Sequence, residues 1–129
     1  MTQTRQDVYK ELEGALGLVP QWMAEMPEGV LQGFWVQARD FWLKETKIPN
    51  KYKELIGVAV SGATRCKYCA LFHTEGARLH GATDEEIAEA SAMGAITMMG
   101  STFLNSQQID YEKFRQETRD IIAHVKKKL

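Results

Sequence analysis

The chain has 129 residues, with 16 Lys and Arg against 17 Asp and Glu, and its formal net charge at pH 7 is −1. This balance argues against nucleic acid or an anionic membrane as the main partner, and no apolar run approaches the roughly 20 residues that span a bilayer. The N-terminal stretch "MTQTRQDVYKELEG" lacks the basic start and apolar run of a signal peptide. We therefore expect one cytoplasmic domain, residues 1–129, in which paired cysteines are catalytic, redox-active or metal-binding.

Helical periodicity dominates the first half of the chain. It predicts a first helix over residues 4–16, which Gly17 ends, and a short helical turn that Pro20 opens. A long helix over residues 27–46 then carries a broad aromatic stripe, which we assign to the core or to a subunit interface. The stripe comprises Val30, Leu31, Phe34, Trp35, Ala38, Phe41 and Trp42.

The second half of the sequence predicts four further helices. Pro49 starts one that should be buried nearly all round, because Ser61 is the only polar residue between positions 55 and 63. A cysteine-bearing helix follows and ends at Gly81, and Thr83 with Glu86 forms a capping box that opens a helix rich in Ala, Gly and Met. The last helix should begin at Asp110. We expect its inner face to consist of Phe114, Ile121, Ile122 and Val125.

These elements predict an all-α domain of about six helices. The chain is too short to bury both the aromatic helix at residues 27–46 and the small-residue face at residues 88–95. We therefore expect a homo-oligomer that completes the core.

The stretch "CKYCALFH" holds both cysteines of the chain and the first of its three histidines. With Thr64 as the expected helix cap, Cys66, Cys69, His73 and His80 fall within a sector of about 60° on one helix. A Cys-x-x-Cys pair on a first turn can close to a disulfide, and the free N–H groups there lower the pKa of a thiol. His73 can accept the proton of Cys69 or stabilise its thiolate as imidazolium. The pattern therefore indicates a redox-active dithiol with an adjacent base.

Two other interpretations of these residues stay open. Cys66, Cys69 and His73 are zinc-ligand types, but a fourth ligand such as His80 or Glu54 would be needed, and ligands on one helix converge poorly on a tetrahedron. The cysteines could also be an inert, buried pair. We expect neither a metal nor a cofactor, and we expect His80 to lie outside the reacting groups.

Glu54, the cysteine pair and His73 together resemble the Glu…Cys-x-x-Cys-x-x-x-His pattern of alkylhydroperoxidase D-like members of the carboxymuconolactone decarboxylase family. The similarity extends over about residues 30–105. It implies an all-helical fold in which Glu54, Cys69 and His73 form a proton relay, with Cys69 as the attacking thiolate and Cys66 as the resolving, reductant-facing partner. Tyr68 departs from the family pattern, which has histidine there. The chain also resembles the single-copy members of the family, which implies an oligomer whose subunits complete one another's core.

The resemblance implies a thiol-dependent peroxidase or disulfide oxidoreductase that reduces alkyl hydroperoxides. Cys69 would become a sulfenic acid, Cys66 would condense with it, and an external dithiol, which the resemblance suggests is a lipoyl protein, would attack an exposed Cys66. One alternative is a carboxymuconolactone-decarboxylase-like enzyme, although that branch of the family lacks the cysteine pair. The other is a non-enzymatic helical oligomer that senses redox state or binds metal. The sequence leaves open the peroxide, the reductant, the subunit number and which cysteine attacks first.

Overall fold

A computed structural model describes residues 3–129 of the chain. Between these limits it contains seven α-helices, one π-helical segment and no strand, which confirms the all-α prediction with one helix more than expected. None of the described helices combines the length and the apolar character that a bilayer crossing would require. The α-helices are α1 Arg5–Leu16, α2 Gln21–Ala24, α3 Glu28–Gln37, α4 Asn50–Ala63, α5 Lys67–Leu79, α6 Asp84–Ser106 and α7 Tyr111–Lys126.

The first three helices and the start of the π-helical segment enclose an apolar cluster. Helix α1 begins at a capping box between Thr4 and Asp7 and ends at Gly17, whose φ of 83° is the left-handed conformation that glycine adopts readily. Both ends agree with the sequence prediction. The fully or largely buried side chains of the cluster are Val8, Leu12, Met23, Leu31, Trp35 and Ala38.

The helix predicted over residues 27–46 is shorter and less regular than expected. Helix α3 passes into a π-helical segment, Ala38–Trp42, in which the N–H of Leu43 donates to the carbonyl of Ala38 over 2.7 Å. The regular helical pattern of the sequence gives no sign of this extra residue in the turn. The prediction was therefore right about the element and wrong about its C-terminal end.

Side chains of the first turn of α4 hold the end of the π-helical segment. The ammonium group of Lys53 donates to the carbonyls of Phe41 and Lys44, at 2.6 and 2.8 Å, and the amide of Asn50 donates to the carbonyl of Leu43 at 3.0 Å. These carbonyls have no partner within their own helix, because a helix ends there. The contacts fix the direction in which the π-helical segment meets α4.

Helix α4 packs against α5 on one side and α6 on the other. It buries Glu54, Val58 and Ser61, but Ile56 and Val60 are 52 % and 54 % exposed. The expectation that this helix is buried nearly all round is therefore wrong for the single chain, because its two neighbours leave part of its surface uncovered.

Helices α6 and α7 begin where the sequence predicted. Thr83 and Glu86 form the capping box of α6, and Asp110 caps α7 by accepting from the N–H of Lys113. However, no residue of either helix is buried. The apolar residues predicted to form the inner face of α7 are exposed to solvent in the single chain. They are Phe114, Ile121, Ile122 and Val125.

Candidate functional site

The two cysteines lie at the start of α5, and Cys66 itself is the N-cap residue of this helix. Its sulfur accepts the backbone N–H of Cys69 at 3.2 Å, and the two Sγ atoms are 2.6 Å apart. Thr64, the cap expected from the sequence, is instead the C-cap of α4. Between them Arg65 adopts a positive φ of 56°, which makes the tight connection that brings Cys66 onto the helix end.

The two thiols differ in acidity because one donates to the other. The hydrogen bond from the Cys69 thiol, helped by the N–H of Cys69, lowers the pKa of Cys66 below that of a free thiol. The same thiol–thiol contact raises the pKa of Cys69. Cys66 is therefore the thiol of the pair that loses its proton more readily.

The two cysteine residues also differ in exposure. Cys69 is exposed, whereas Cys66 is half-buried. Cys66 is the less exposed residue because the cap position turns its side chain back over the first turn of α5, where it meets the Cys69 N–H. The sequence interpretation expected an exposed Cys66 that faces the reductant. The lower exposure of this residue differs from that expectation, and its role in the reaction stays a prediction.

A buried carboxylate and a histidine form the second pair of the site. Oε2 of Glu54 lies 2.7 Å from Nδ1 of His73, with side-chain exposures of only 5 % and 23 %. The other oxygen, Oε1, accepts the indole N–H of Trp42 at 2.6 Å. Because a carboxylate only accepts hydrogen bonds, Nδ1 of His73 carries a proton and Nε2 is the nitrogen available to a reacting group.

Cys69 and His73 both lie on α5, and His73 follows Cys69 by four residues, or about 6 Å along the helix axis. Among residues 3–129 no hydrogen bond links the imidazole to either sulfur. The structure thus brings Glu54 and His73 together, and Cys66 and Cys69 together. A relay that joins the two pairs stays a prediction.

Among the described residues, no side-chain hydrogen bond joins His80 or Tyr68, the remaining candidates, to these groups. His80 is the exposed C-cap residue of α5, and Tyr68 is 76 % exposed with the Lys67 ammonium over its ring. Within the part of the chain described, no three His, Cys, Asp or Glu side chains come together in an arrangement that could hold a metal ion.

The sequence model of the carboxymuconolactone decarboxylase family matches residues 30–106, which include all four groups of the site. The chain belongs to this family. Its fold is similar to the alkylhydroperoxidase AhpD core of Rhodospirillum rubrum, with a TM-score of 0.72 and 28 % identity over 84 % of each chain. It is also similar to a protein of Methanobacterium thermoautotrophicum, with a TM-score of 0.58 and 35 % identity over 68 % of this chain and 97 % of the other.

Curated relatives add sequence similarity without an assigned activity. An uncharacterized protein of the cox locus of Paracoccus denitrificans is 36 % identical over 47 % of this chain and 55 % of its own length. An uncharacterized protein of Cupriavidus necator is 42 % identical over 39 % of this chain and 44 % of its own length. The chain therefore spans about half the length of the curated relatives that it matches.

Two glycines give the Glu54–His73 pair of this family member its space. A Cβ atom at Gly57 would lie 2.5 Å from Cγ and Nδ1 of His73, and a Cβ atom at Gly76 would lie 2.7 Å from Oε2 of Glu54. Gly57 could not be identified from the sequence, because a glycine inside a helix gives no sign of what packs against it. The need for glycine here becomes clear only from the neighbouring helix, whose bulky polar side chain packs against this position.

We expect Gly57→Ala to reduce the reactivity of the site much more than the stability of the fold. Overpacking costs about 1–3 kcal/mol, and alanine returns about 0.5–1 kcal/mol of helix propensity. The imidazole of His73 is partly exposed and can move outwards, but only by leaving Oε2 of Glu54. Thermal unfolding and the rate of thiol alkylation measure the two effects.

Gly62→Ala is the matched control, because Gly62 lies on the same helix and a Cβ atom there meets nothing within 4 Å. We expect this variant to be slightly more stable and equally reactive. If Gly57→Ala reacts as fast as Gly62→Ala, the close fit around His73 is unimportant for the thiols.

The aromatic rings of Trp42 and Phe72 pack beside His73. The Trp42 ring lies 5.2 Å from the Phe72 ring and 5.5 Å from the His73 ring, between centroids. The sequence analysis placed Trp42 in the aromatic stripe of the core or interface and did not identify its contact with Glu54. No local signal shows this contact, because it depends on the π-helical segment and on the packing of three helices.

Proposed function

We propose that the chain is a thiol-dependent peroxidase that reduces hydroperoxides through the Cys66–Cys69 pair. The observation that carries the proposal is the helix-capped pair itself, with two sulfurs 2.6 Å apart, one exposed and one acidified. The Glu54–His73 pair, whose histidine lies one turn beyond Cys69 on α5, supplies a proton donor and acceptor. The similarity to the alkylhydroperoxidase AhpD core supports the same chemistry.

In the peroxide step, Cys69 passes its proton to Nε2 of His73 and attacks the peroxide oxygen as a thiolate. Cys69 is the more exposed of the two residues, which favours its reaction with a peroxide, and the thiolate of higher pKa is the stronger nucleophile. The O–O bond breaks, and the imidazolium of His73 protonates the alkoxide to give an alcohol. Cys69 is then a sulfenic acid.

In the resolving step, the Cys66 sulfur attacks the Cys69 sulfur and displaces hydroxide, which leaves as water with the proton that Cys66 carried. The two thiols lose two electrons in total, and the peroxide gains them. The product is an intramolecular disulfide across the first turn of α5.

In the reductive step, an external dithiol, such as a lipoyl group, attacks Cys69 and releases Cys66 as the leaving thiolate. Exposure favours attack at Cys69, and the lower pKa of Cys66 makes it the better leaving group. The structure thus favours the reverse of the role given to Cys66 by the family resemblance, in which Cys66 faces the reductant.

Mass spectrometry after one equivalent of hydroperoxide tests the proposal. We expect a loss of about 2 Da, as both thiols disappear from titration with a thiol reagent. Cys66→Ser should trap Cys69 as a sulfenic acid, a gain of about 16 Da, or as a more oxidised acid. Full peroxidase activity in Cys69→Ser would reverse the two cysteine roles.

Turnover separates this function from the alternatives. With an excess of a small dithiol, a peroxidase consumes many equivalents of peroxide, whereas a redox sensor reacts once per chain. A decarboxylase-like member would consume no peroxide. Absence of both disulfide formation and turnover in the wild-type protein would contradict the proposed function.

A further inference from the structure

We propose that Trp42 is a positioning residue, whose indole N–H holds Glu54 so that His73 presents Nε2 to the thiols. This inference rests on the proposed function for its consequence at the thiols, but its geometric part can be tested without peroxide. Trp42 touches neither sulfur, so it acts through Glu54 and His73.

The indole of Trp42 holds one oxygen of the Glu54 carboxylate. Glu54 is almost fully buried, and each of its oxygens has one partner: Trp42 at Oε1 and His73 at Oε2. Without the indole donor, Oε1 would be a buried acceptor without a partner, and the carboxylate could turn to offer its oxygens differently. The indole therefore fixes the orientation of the group that fixes the imidazole.

The ring of His73 is confined by its neighbours. Its Nδ1 is held by Glu54, one face of its surroundings is the Trp42 ring, and a Cβ atom at Gly57 would already overlap it. A histidine whose one nitrogen is held by a carboxylate is fixed in tautomer and in direction. Nε2 is then the basic nitrogen.

Trp42 reaches Glu54 because the π-helical segment changes the direction of its side chain. Trp35 and Trp42 are seven residues apart, and on a regular α-helix they would point within about 20° of each other. Instead, the Trp35 indole donates to Glu11 of α1, and the Trp42 indole donates to Glu54 of α4. The π-helical segment Ala38–Trp42 shifts the register between the two tryptophans, and such segments often occur at functional sites.

The π-helical segment is anchored to α4, the helix that bears Glu54. Lys53 and Asn50, in the first turn of α4, bind the carbonyls at its end. Trp42 and Glu54 are therefore fixed relative to each other by backbone contacts as well as by their own hydrogen bond.

Trp42→Phe tests the proposal, because phenylalanine keeps an aromatic ring beside His73 and removes only the N–H donor. Trp22→Phe is the matched control, since Trp22 is half exposed and packs edge-on against Phe34, away from the site. The first readout is the ¹⁵N spectrum of the histidine rings, with His80 and His124 as internal references. The second is the rate of thiol alkylation near neutral pH.

In the wild-type protein and Trp22→Phe we expect neutral His73 to be the Nδ1–H tautomer. In Trp42→Phe we expect a mixture of tautomers and a decrease in the alkylation rate of about 10- to 100-fold, as for other partners that orient a functional histidine. An unchanged tautomer, or a changed tautomer with an unchanged alkylation rate, would overturn the proposal.

A measurement on Glu54→Gln keeps the test decisive if Trp42→Phe does not fold. The Trp42 indole proton should shift in the NMR spectrum of this variant, and the Trp22 indole proton should not. Three indole signals are expected in all, one for each tryptophan. If the Trp42 signal stays in place, the indole does not bind Glu54 in solution. None of these measurements needs peroxide turnover, so loss of the proposed function would leave their outcome unaffected.

Discussion

Glu54→Gln is expected to slow thiol chemistry by about 10²- to 10⁴-fold near neutral pH, the range for loss of a general acid–base partner. Glutamine keeps the shape of glutamate, but it removes the charge that stabilises the imidazolium of His73. It also has a single acceptor oxygen, whereas two donors, the Trp42 indole and Nδ1 of His73, face this position. One of these donors must lose its partner or His73 must change its tautomer, so the loss affects both electrostatics and orientation.

The measurement is the pH profile of Cys69 alkylation in a Cys66→Ser background, with and without Glu54→Gln. Disulfide closure by one equivalent of hydroperoxide gives the same comparison with both cysteines present. Glu11→Gln is the matched control, because Glu11 also accepts a tryptophan indole N–H but lies on α1. If the profiles with and without Glu54→Gln superimpose, Glu54 has a structural role only.

The second large effect is on assembly: we expect the chain to be an obligate homo-oligomer. Its accessible surface is 9872 Å², whereas a compact monomer of this mass exposes about 6,900 Å². The excess of roughly 3,000 Å² per chain is several times the share of about 800 Å² that each partner gives to an ordinary interface. Much of the exposed apolar surface lies on α6 and α7, which bury no residue in the single chain.

Ile121→Glu tests this expectation, because Ile121 is 60 % exposed and lies in the apolar stripe of α7 with Phe114 and Val125. We expect light scattering to show smaller species or loss of solubility for this variant. Ala123→Glu is the control, since two residues further on the helix surface has turned by about 200°. A folded wild-type monomer at micromolar concentration would contradict the expectation of an obligate oligomer.

Helix ends were predictable where their signals are local. Thr4, Thr83 and Asp110 cap their helices because a side-chain oxygen needs only the N–H groups of the next turn. Thr64 was wrong as a cap for the opposite reason. Cys66 is closer to α5 and its sulfur accepts the Cys69 N–H, which the ranking of ordinary cap residues does not anticipate.

The site was predictable to the extent that it lies on one helix. Helical spacing alone brings Cys66, Cys69 and His73 to one side of α5, but it cannot place Glu54, whose role came from the family resemblance. Trp42 and Gly57 were beyond reach, because their contacts arise where three separate chain segments converge. The burial expected for α4 and α7 failed because one chain lacks the surfaces that would cover these helices.

The position of Cys66 as an N-cap links the reduction potential of the pair to the end of α5. In the reduced protein the Cys66 sulfur, whose pKa is lowered, accepts the Cys69 N–H at the positive end of a helix dipole. In the disulfide that sulfur is neutral and a weaker acceptor, so oxidation loosens the cap. A cap is worth about 1 kcal/mol, which for a two-electron couple corresponds to about 20 mV. The helix thereby favours the dithiol and makes the disulfide easier to reduce.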